Sequence, residues 1–347
     1  MLTQTMHPHN EAAVLAEIMR SPYFPARTVL FHKEPNGVTY RVPALLYLSR
    51  SRCFLAFCEQ RLSPSDSQAH LLVMRKGTFY RNYVEWGDVR VLSTALLPGH
   101  RSMNPCPVYD EFTGTLFLFF IAILGHTSES YQLRTGKNLS HLCFICSTDE
   151  GETWSPVTDL TKKVIGDTIK EWATFALGPG HGIQLKSGRL LIPAYSYHID
   201  CRECFGQLCL TTPHAFCFHS DNHGRTWRFG EAVPGRRAWS ASWRGPWVIY
   251  EGPSAYSDLA YLELPTSTGS PPVVAFACLF ECGPKTAYDE ICFCIFTLYE
   301  LIDNLPQNGQ QRNCDGARTS QSRSSGSRDA QRASVGRRVK KKSKLRE

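Results

Sequence analysis

Ser147 to Trp154 reads STDEGETW, and Ser220 to Trp227 repeats it as SDNHGRTW. The two octets share Ser-x-(Asp/Asn)-x-Gly-x-Thr-Trp, start 73 residues apart and lie between strand-like segments. Their acid-x-Gly core suits a hairpin turn, in which glycine takes positive φ and the Asp side chain accepts backbone N–H bonds. The tryptophan then pins the turn onto the sheet below it. A calcium loop needs more oxygen donors than one Asp, and Asn222 replaces that Asp in the second copy. Hairpins recurring with a fixed signature point to repeated antiparallel blades, and hence to a propeller.

The rest of the chain agrees with an all-β reading. Segments such as RVPALLYL, CFLAFCEQ, TLFLFFIAIL, RLLIPAYSY and VVAFACLFE are short, aromatic and β-branched, with Gly, Pro, Asn and Asp between them. Nowhere do strands alternate with long helices, which argues against a parallel α/β sheet. One exception, Glu11 to Arg20, sets Val14, Leu15, Ile18 and Met19 on one helical face and predicts a short docking helix in an N-terminal extension over 1–27. The longest apolar run, Leu116 to Leu124, is nine residues and too short to span a bilayer.

Charge is distributed unevenly. The net charge is +7, yet residues 312–347 alone carry +9 and the remainder sums to −2. The body is therefore close to neutral, and the basicity belongs to a Ser/Arg/Lys-rich segment over 306–347 that buries too little apolar surface to order itself. Its closing cluster, Arg337 to Arg346, suits anionic lipid headgroups, nucleic acid or a nuclear signal, and a solvated tail without a partner serves as well.

Fourteen cysteines, scattered singly through apolar runs, read as buried small hydrophobes rather than as a disulfide framework. The opening residues, with Glu11 and Glu17 where a basic and then an apolar region would stand, do not read as a secretory leader, so the expectation is a chain that is not secreted. The Asn138-Leu139-Ser140 sequon is then expected to stay unmodified. His198, Cys201, Cys204 and Cys209 raise zinc as an alternative, but one clear ligand pair falls short of a structural site and free thiols in a loop explain it.

The octets resemble the Asp boxes of sialidases, and Tyr40-Arg41-Val42-Pro43 resembles the motif that opens their catalytic domain. LPGHRSMNPCPV (97–108), EWATFALGPGHGIQL (171–185), LIPAYSY (191–197) and GPSAYSDLA (252–260) continue the match. Together these are similar to the vertebrate cytosolic and membrane-associated exo-α-sialidases, the ganglioside-cleaving branch above all, from Thr28 to Leu301. The resemblance implies a six-bladed β-propeller over 28–305 and retaining hydrolysis of terminal α-linked sialic acid without metal or cofactor. It also implies sialylated glycolipids and glycoconjugates as partners, no nucleic acid, and a peripheral membrane or cytoplasmic location.

Residue chemistry supports the roles so implied. Sialic acid carries a carboxylate on its anomeric carbon, which calls for arginine forks, and Arg41 at the start of an apolar strand is the first member. A carboxylate nucleophile would be repelled by that anion; sialidases use tyrosine, and Tyr256 holds the family position. Asp66, in RLSPSDSQAH, fits the proton donor, an exposed carboxyl on a mobile loop. Glu59 is expected to hold Arg41 and Arg61 to reach toward substrate, while Met103, Asn104, Tyr195 and Tyr197 shape the pocket.

One departure is large. Only 29 residues separate Trp227 from Tyr256, where sialidases pass through another Asp box and several strands. At about 45 residues per blade, roughly two blades are missing, with the truncation at about 233–247. With them go two triad arginines and the glutamate that activates tyrosine. Arg236, Arg237 or Arg244, and Glu231 or Glu251, are the candidates to stand in. An unassisted phenol, with a pKa of about 10, is a poor nucleophile at neutral pH, and each lost charged hydrogen bond weakens binding by about 1.5–3 kcal/mol. A catalytically impaired sialidase-like propeller is therefore the alternative expectation.

Overall fold

The computed structural model describes residues 24–80, 83–202, 208–230, 247–264 and 271–304. The expected helix at 11–20, the junction at 233–246 and the basic segment of 306–347 lie outside them.

Strands form four antiparallel sheets, the blades of a propeller. Strand β1 (Arg27–His32) precedes the first blade, which contains β2 (Thr39–Leu48), β3 (Cys53–Arg61), β4 (Ala69–Tyr80), β5 (Tyr83–Trp86) and β6 (Arg90–Val91). The second blade has β7 (His100–Asp110), β8 (Thr115–Leu124), β9 (Ser140–Ser147) and β10 (Thr158–Asp159), with helix α1 (Glu129–Thr135) between β8 and β9. The third runs through β11 (Trp172–Leu177), β12 (Ile183–Gln184), β13 (Leu190–Arg202), β14 (Leu208–Ser220) and β15 (Arg228–Phe229). The fourth has β16 (Ser254–Leu264), β17 (Val273–Cys282) and β18 (Glu290–Thr297), followed by helix α2 (Leu298–Asn304). Its outer edge is β1, paired antiparallel with β18, so the beginning of the described chain completes its last blade. Among the described residues four blades form, against the six of the full architecture, in agreement with an incomplete propeller.

Central strands such as β3 and β8 are buried along nearly their whole length because each faces a neighbouring blade on both sides. That is why they read as unbroken apolar runs rather than as alternating ones. Separate apolar layers join the second blade to the third, the first to the second, and the fourth to the first.

The octets are hairpin turns closed by their own side chains. Ser147 Oγ accepts from Gly151 N at 2.8 Å, and Asp149 Oδ1 accepts from Thr153 N at 2.9 Å. Bonds from Thr153 and Ser147 hold the Asp149 carboxyl well below the usual carboxylate range. In the second copy Ser220 Oγ accepts from Gly224 N at 2.9 Å and Asn222 Oδ1 from Thr226 N at 2.9 Å, so the amide oxygen replaces the carboxylate without changing the turn. Two consecutive residues take positive φ in each copy, Glu150 with Gly151 and His223 with Gly224. The tryptophan does more than pin its own sheet, because it crosses to the preceding blade. Trp154 meets Phe57 of β3 edge-on at 6.3 Å, and Trp227 meets Phe119 of β8 at 4.6 Å. A Cβ on Gly224 would collide with the Phe117 ring, so glycine is required there by the preceding blade as well as by φ.

Among the described cysteines, ten are free, and eight of these are buried within the blades. Cys201 is disulfide-bonded, which corrects its reading as a free loop thiol; Cys204 lies outside the described residues. Among the described residues no helix is long and apolar enough to cross a membrane.

The inter-blade role of the second octet generates a stability prediction. Trp227 is buried while Trp154 is half-buried. Trp227→Ala should therefore cost about 3–5 kcal/mol and Trp154→Ala distinctly less, measured by denaturant unfolding. Equal costs would contradict the assignment of Trp227 as the tighter staple.

Candidate active site

Two X-Pro segments, Arg41-Val42-Pro43 and Met103-Asn104-Pro105, break the strand register of β2 and β7 in the same way. Pairing skips between Arg41 and Ala44 on β2, and between Met103 and Cys106 on β7. The middle residue of each takes positive φ, 55° at Val42 and 54° at Asn104. For β-branched Val42 this conformation is strained and must be held by its surroundings.

A buried glutamate from the preceding blade holds each bulge, counting the fourth blade as preceding the first. Glu281 of β17 accepts from Val42 N at 2.8 Å and from Arg41 Nε at 2.7 Å through Oε1, and from Tyr256 N at 3.2 Å through Oε2. Glu59 of β3 accepts from Asn104 N at 2.7 Å through Oε1 and from Arg61 Nε at 2.7 Å through Oε2. Both carboxylates are fully buried and each is matched by one arginine, Glu281 also by two backbone N–H groups and Glu59 by one. This corrects the expected pairing: Glu59 holds Arg61, and Arg41 is held by Glu281. Arg41 and Glu59 are neighbours only in the β2–β3 register.

The Arg41 guanidinium lies 3.8 Å from the Tyr288 ring centroid and 5.9 Å from that of Tyr256. Aromatic faces on a cation that is already oriented by a carboxylate fix the fork in place. Tyr256, on the exposed face of β16, is 45% exposed. Among the described residues none hydrogen-bonds its hydroxyl. Glu251, the described candidate to activate it, is exposed and makes no such bond. Glu281 reaches the backbone of Tyr256 rather than its phenol.

Asp66 begins a single 3₁₀ turn, Asp66–Gln68. It was expected to be exposed on a mobile loop, but it is half-buried, and three arginines tie the loop down. Arg61 Nη1 and Arg41 Nη1 donate to Pro64 O at 3.0 and 3.5 Å, and Arg101 Nη1 donates to Asp66 O at 2.6 Å. The Asp66 carboxylate accepts from Ser67 N at 2.8 Å and from Glu129 N, the first residue of α1, at 3.1 Å. Burial, and next the charge of Asp66, push the Glu129 carboxyl above its usual range. Burial likewise raises the Tyr195 phenol, and next the charge of Glu129. Tyr197 meets Tyr195 edge-on at 6.1 Å; Met103 is buried and Asn104 half-buried beside Glu59.

The structure thus gathers Arg41, Glu59, Arg61, Asp66, Met103, Asn104, Tyr195 and Tyr256, and adds four residues the sequence reading missed: Arg101, Glu129, Glu281 and Tyr288. Arg101 and Glu281 were findable as lone charges inside apolar segments, LPGHRSMNPCPV and VVAFACLFEC. The result is one oriented arginine fork, a phenol and a tethered carboxyl. Such a group can bind a carboxylate and carry out proton transfer beside it.

Comparison with known proteins gives the same direction. Residues 54–244 match the family model of the BNR repeat-like domain. The chain is 35% identical to Sialidase-4 of Mus musculus over 458 aligned positions, covering 81% of this chain and 95% of the relative. Those positions outnumber the 347 residues of the chain, so the relative carries stretches that this chain skips. It is 50% identical to Sialidase-3 of Mus musculus over 213 residues, covering 61% of this chain and 50% of the relative. Among solved structures, Trypanosoma rangeli sialidase aligns with a TM-score of 0.49 at 11% identity, over 80% of this chain and 60% of that one.

Two outcomes test the geometry. Glu281→Ala leaves the buried Arg41 guanidinium unpaired and should cost about 3–5 kcal/mol in denaturant unfolding, with Glu281→Gln costing less; a surface-like cost for the alanine variant would contradict the clamp. Glu129 has a native pKa above its unfolded value, so its contribution is fully present below the unfolded pKa of about 4.3 and is lost as pH rises through the native one. Glu129→Gln should therefore flatten the decline of stability over that interval, as thermal unfolding at a series of pH values would read; an unchanged profile would remove Glu129 from the cluster.

Proposed function

We propose, because this chain belongs to the sialidase family, that its four-bladed site is that of an exo-α-sialidase acting slowly on terminal α-linked sialic acid of gangliosides, glycoproteins and oligosaccharides. The observation that carries this reading is the Glu281–Arg41 clamp bridging the fourth and first blades, with Tyr256 on the same carboxylate. Arg41 takes the substrate carboxylate, which places the anomeric carbon before the Tyr256 hydroxyl. Asp66 protonates the leaving glycosidic oxygen while the Tyr256 oxygen, its own proton passing to solvent water, bonds to the anomeric carbon, giving a sialyl-tyrosine and a free alcohol. Asp66 then takes a proton from water, which attacks that carbon and breaks its bond to the Tyr256 oxygen; sialic acid leaves with retention and the phenolate regains a proton from solvent. Tyr195, Tyr197 and Asn104 line the sides that receive the acyl and glycerol arms. With lipid-borne substrates the chain works at a membrane surface as a peripheral protein.

Slow turnover follows from what Tyr256 lacks. A phenol attacks well only when a base takes its proton, and no described residue does so. The same observation favours a second reading, a sialoside-binding propeller without turnover. A fluorogenic sialoside separates them. Release of the fluorophore should be measurable, abolished by Tyr256→Phe, and reduced about 10²–10⁴-fold by Asp66→Asn for substrates with poor leaving groups. Binding of free sialic acid without release would establish the second reading, and loss of neither in Arg41→Ala would overturn both.

A further inference from the structure

We propose that Cys282, Glu290 and Cys292 form a binding site for a thiophilic divalent cation of the zinc class on the fourth blade. The inference is independent of the glycosidase reading. It rests on the face of the fourth blade turned away from the first.

Antiparallel partners share a face, and residues two apart along a strand return to it. On β17 and β18 the partners Phe276 with Phe296, Cys278 with Cys294, Phe280 with Cys292 and Cys282 with Glu290 therefore line one surface. The opposite surface, with Ala277, Leu279 and Phe293, packs on the first blade. What covers the cysteine surface is the short segment before β16: Trp247 meets Phe296 edge-on at 5.0 Å, and Tyr250 lies 6.0 Å from Phe280.

At the end of this surface the Cys282 thiol donates to Cys292 Sγ at 2.9 Å, and the Cys292 thiol lies 3.6 Å from Glu290 Oε2. All three ligand atoms fall within 4.8 Å of one another, with both thiols buried and the carboxylate half-buried. Tetrahedral zinc, at about 2.3 Å to sulfur and about 2.1 Å to oxygen, sets a sulfur and an oxygen ligand about 3.6 Å apart and two sulfurs about 3.8 Å apart. The carboxylate already stands at that separation, and the sulfurs need part by less than about 1 Å, within reach of side-chain rotation. Water would complete the fourth position.

Charge closes the case. Two thiolates and a carboxylate carry three negative charges, so a divalent cation leaves one. Arg27, held 4.6 Å over the Tyr250 ring, exerts its charge on both Cys282 and Cys292 and offsets it. Among the described residues Glu290 forms no ion pair, and its carboxylate faces a thiol instead. Cys282 directly follows Glu281, so a bound cation would stiffen the strand that holds Arg41.

The test is titration of the reduced full chain with Cd²⁺, read by the ultraviolet charge-transfer band of cadmium thiolates. One equivalent should saturate the band, Zn²⁺ should displace it, and the double variant Cys282→Ser/Cys292→Ser should lack it. Glu290→Gln, at the rim where folding is least at risk, should keep the band and weaken affinity about 10-fold or more; circular dichroism confirms that each variant is folded. A band that survives the double variant, or indifference to Glu290→Gln, would overturn the site. So would absence of Cd²⁺ affinity in the reduced chain together with a Cys282–Cys292 disulfide in protein isolated without reductant, which would make the pair a redox dithiol.

Discussion

Two buried carboxylates, Glu281 and Glu59, are the constraint on which the rest of the site depends. Each lies on a blade's second strand and reaches across to the strained bulge of the next blade, Val42 or Asn104. Each also takes an arginine, Arg41 or Arg61. A buried carboxylate without partners is very costly, and so is a β-branched residue at positive φ; here each requirement is met by the other. The bulge turns backbone N–H groups toward the carboxylate, and the carboxylate makes the bulge the lowest-energy conformation of the strand. Orientation of the arginines follows from the fold rather than from any flexible loop.

The tryptophans of the octets do for the outer ends of the blades what the glutamates do for the site. Trp154 and Trp227 each pass from their own turn to the preceding blade, so register between blades is fixed at two places along its length. Asp258 adds a third tie. Its carboxylate accepts from Leu45 N at 2.7 Å and pairs with His181 Nδ1 at 2.9 Å, joining the fourth blade to the first and to a loop of the third.

The fold was legible in the sequence because its signal is local. A turn closed by Ser147, Asp149 and Thr153 lies within eight residues, and strands buried between two blades appear as continuous apolar runs. Arg41, Asp66 and Tyr256 were legible through motifs. What was not legible was pairing across long separations: Glu281 meets Arg41 over 240 residues, and no spacing rule distinguishes it from Glu59, the register neighbour of Arg41. The Asp66 loop was misjudged for the same reason, since Arg101 ties it from another blade. Local polarity marked the connection between β3 and β4, 62–68, as a loop, but it does not show what anchors a loop.

Which half of the site survives is determined by which blade interfaces survive. The clamps that remain act across the fourth-to-first and first-to-second interfaces, both intact, and they carry Arg41, Arg61 and the loop of Asp66. The chemistry expected from the skipped stretch would precede β16 in the chain, and that strand presents Tyr256 and Tyr261 to solvent, 45% and 56% exposed. Tyr256 therefore keeps its backbone anchor, Glu281 of its own blade, while among the described residues no base reaches its hydroxyl. In the proposed reaction, substrate recognition and proton donation thus rest on interfaces between described blades, while activation of the nucleophile calls for a group not found among the described residues.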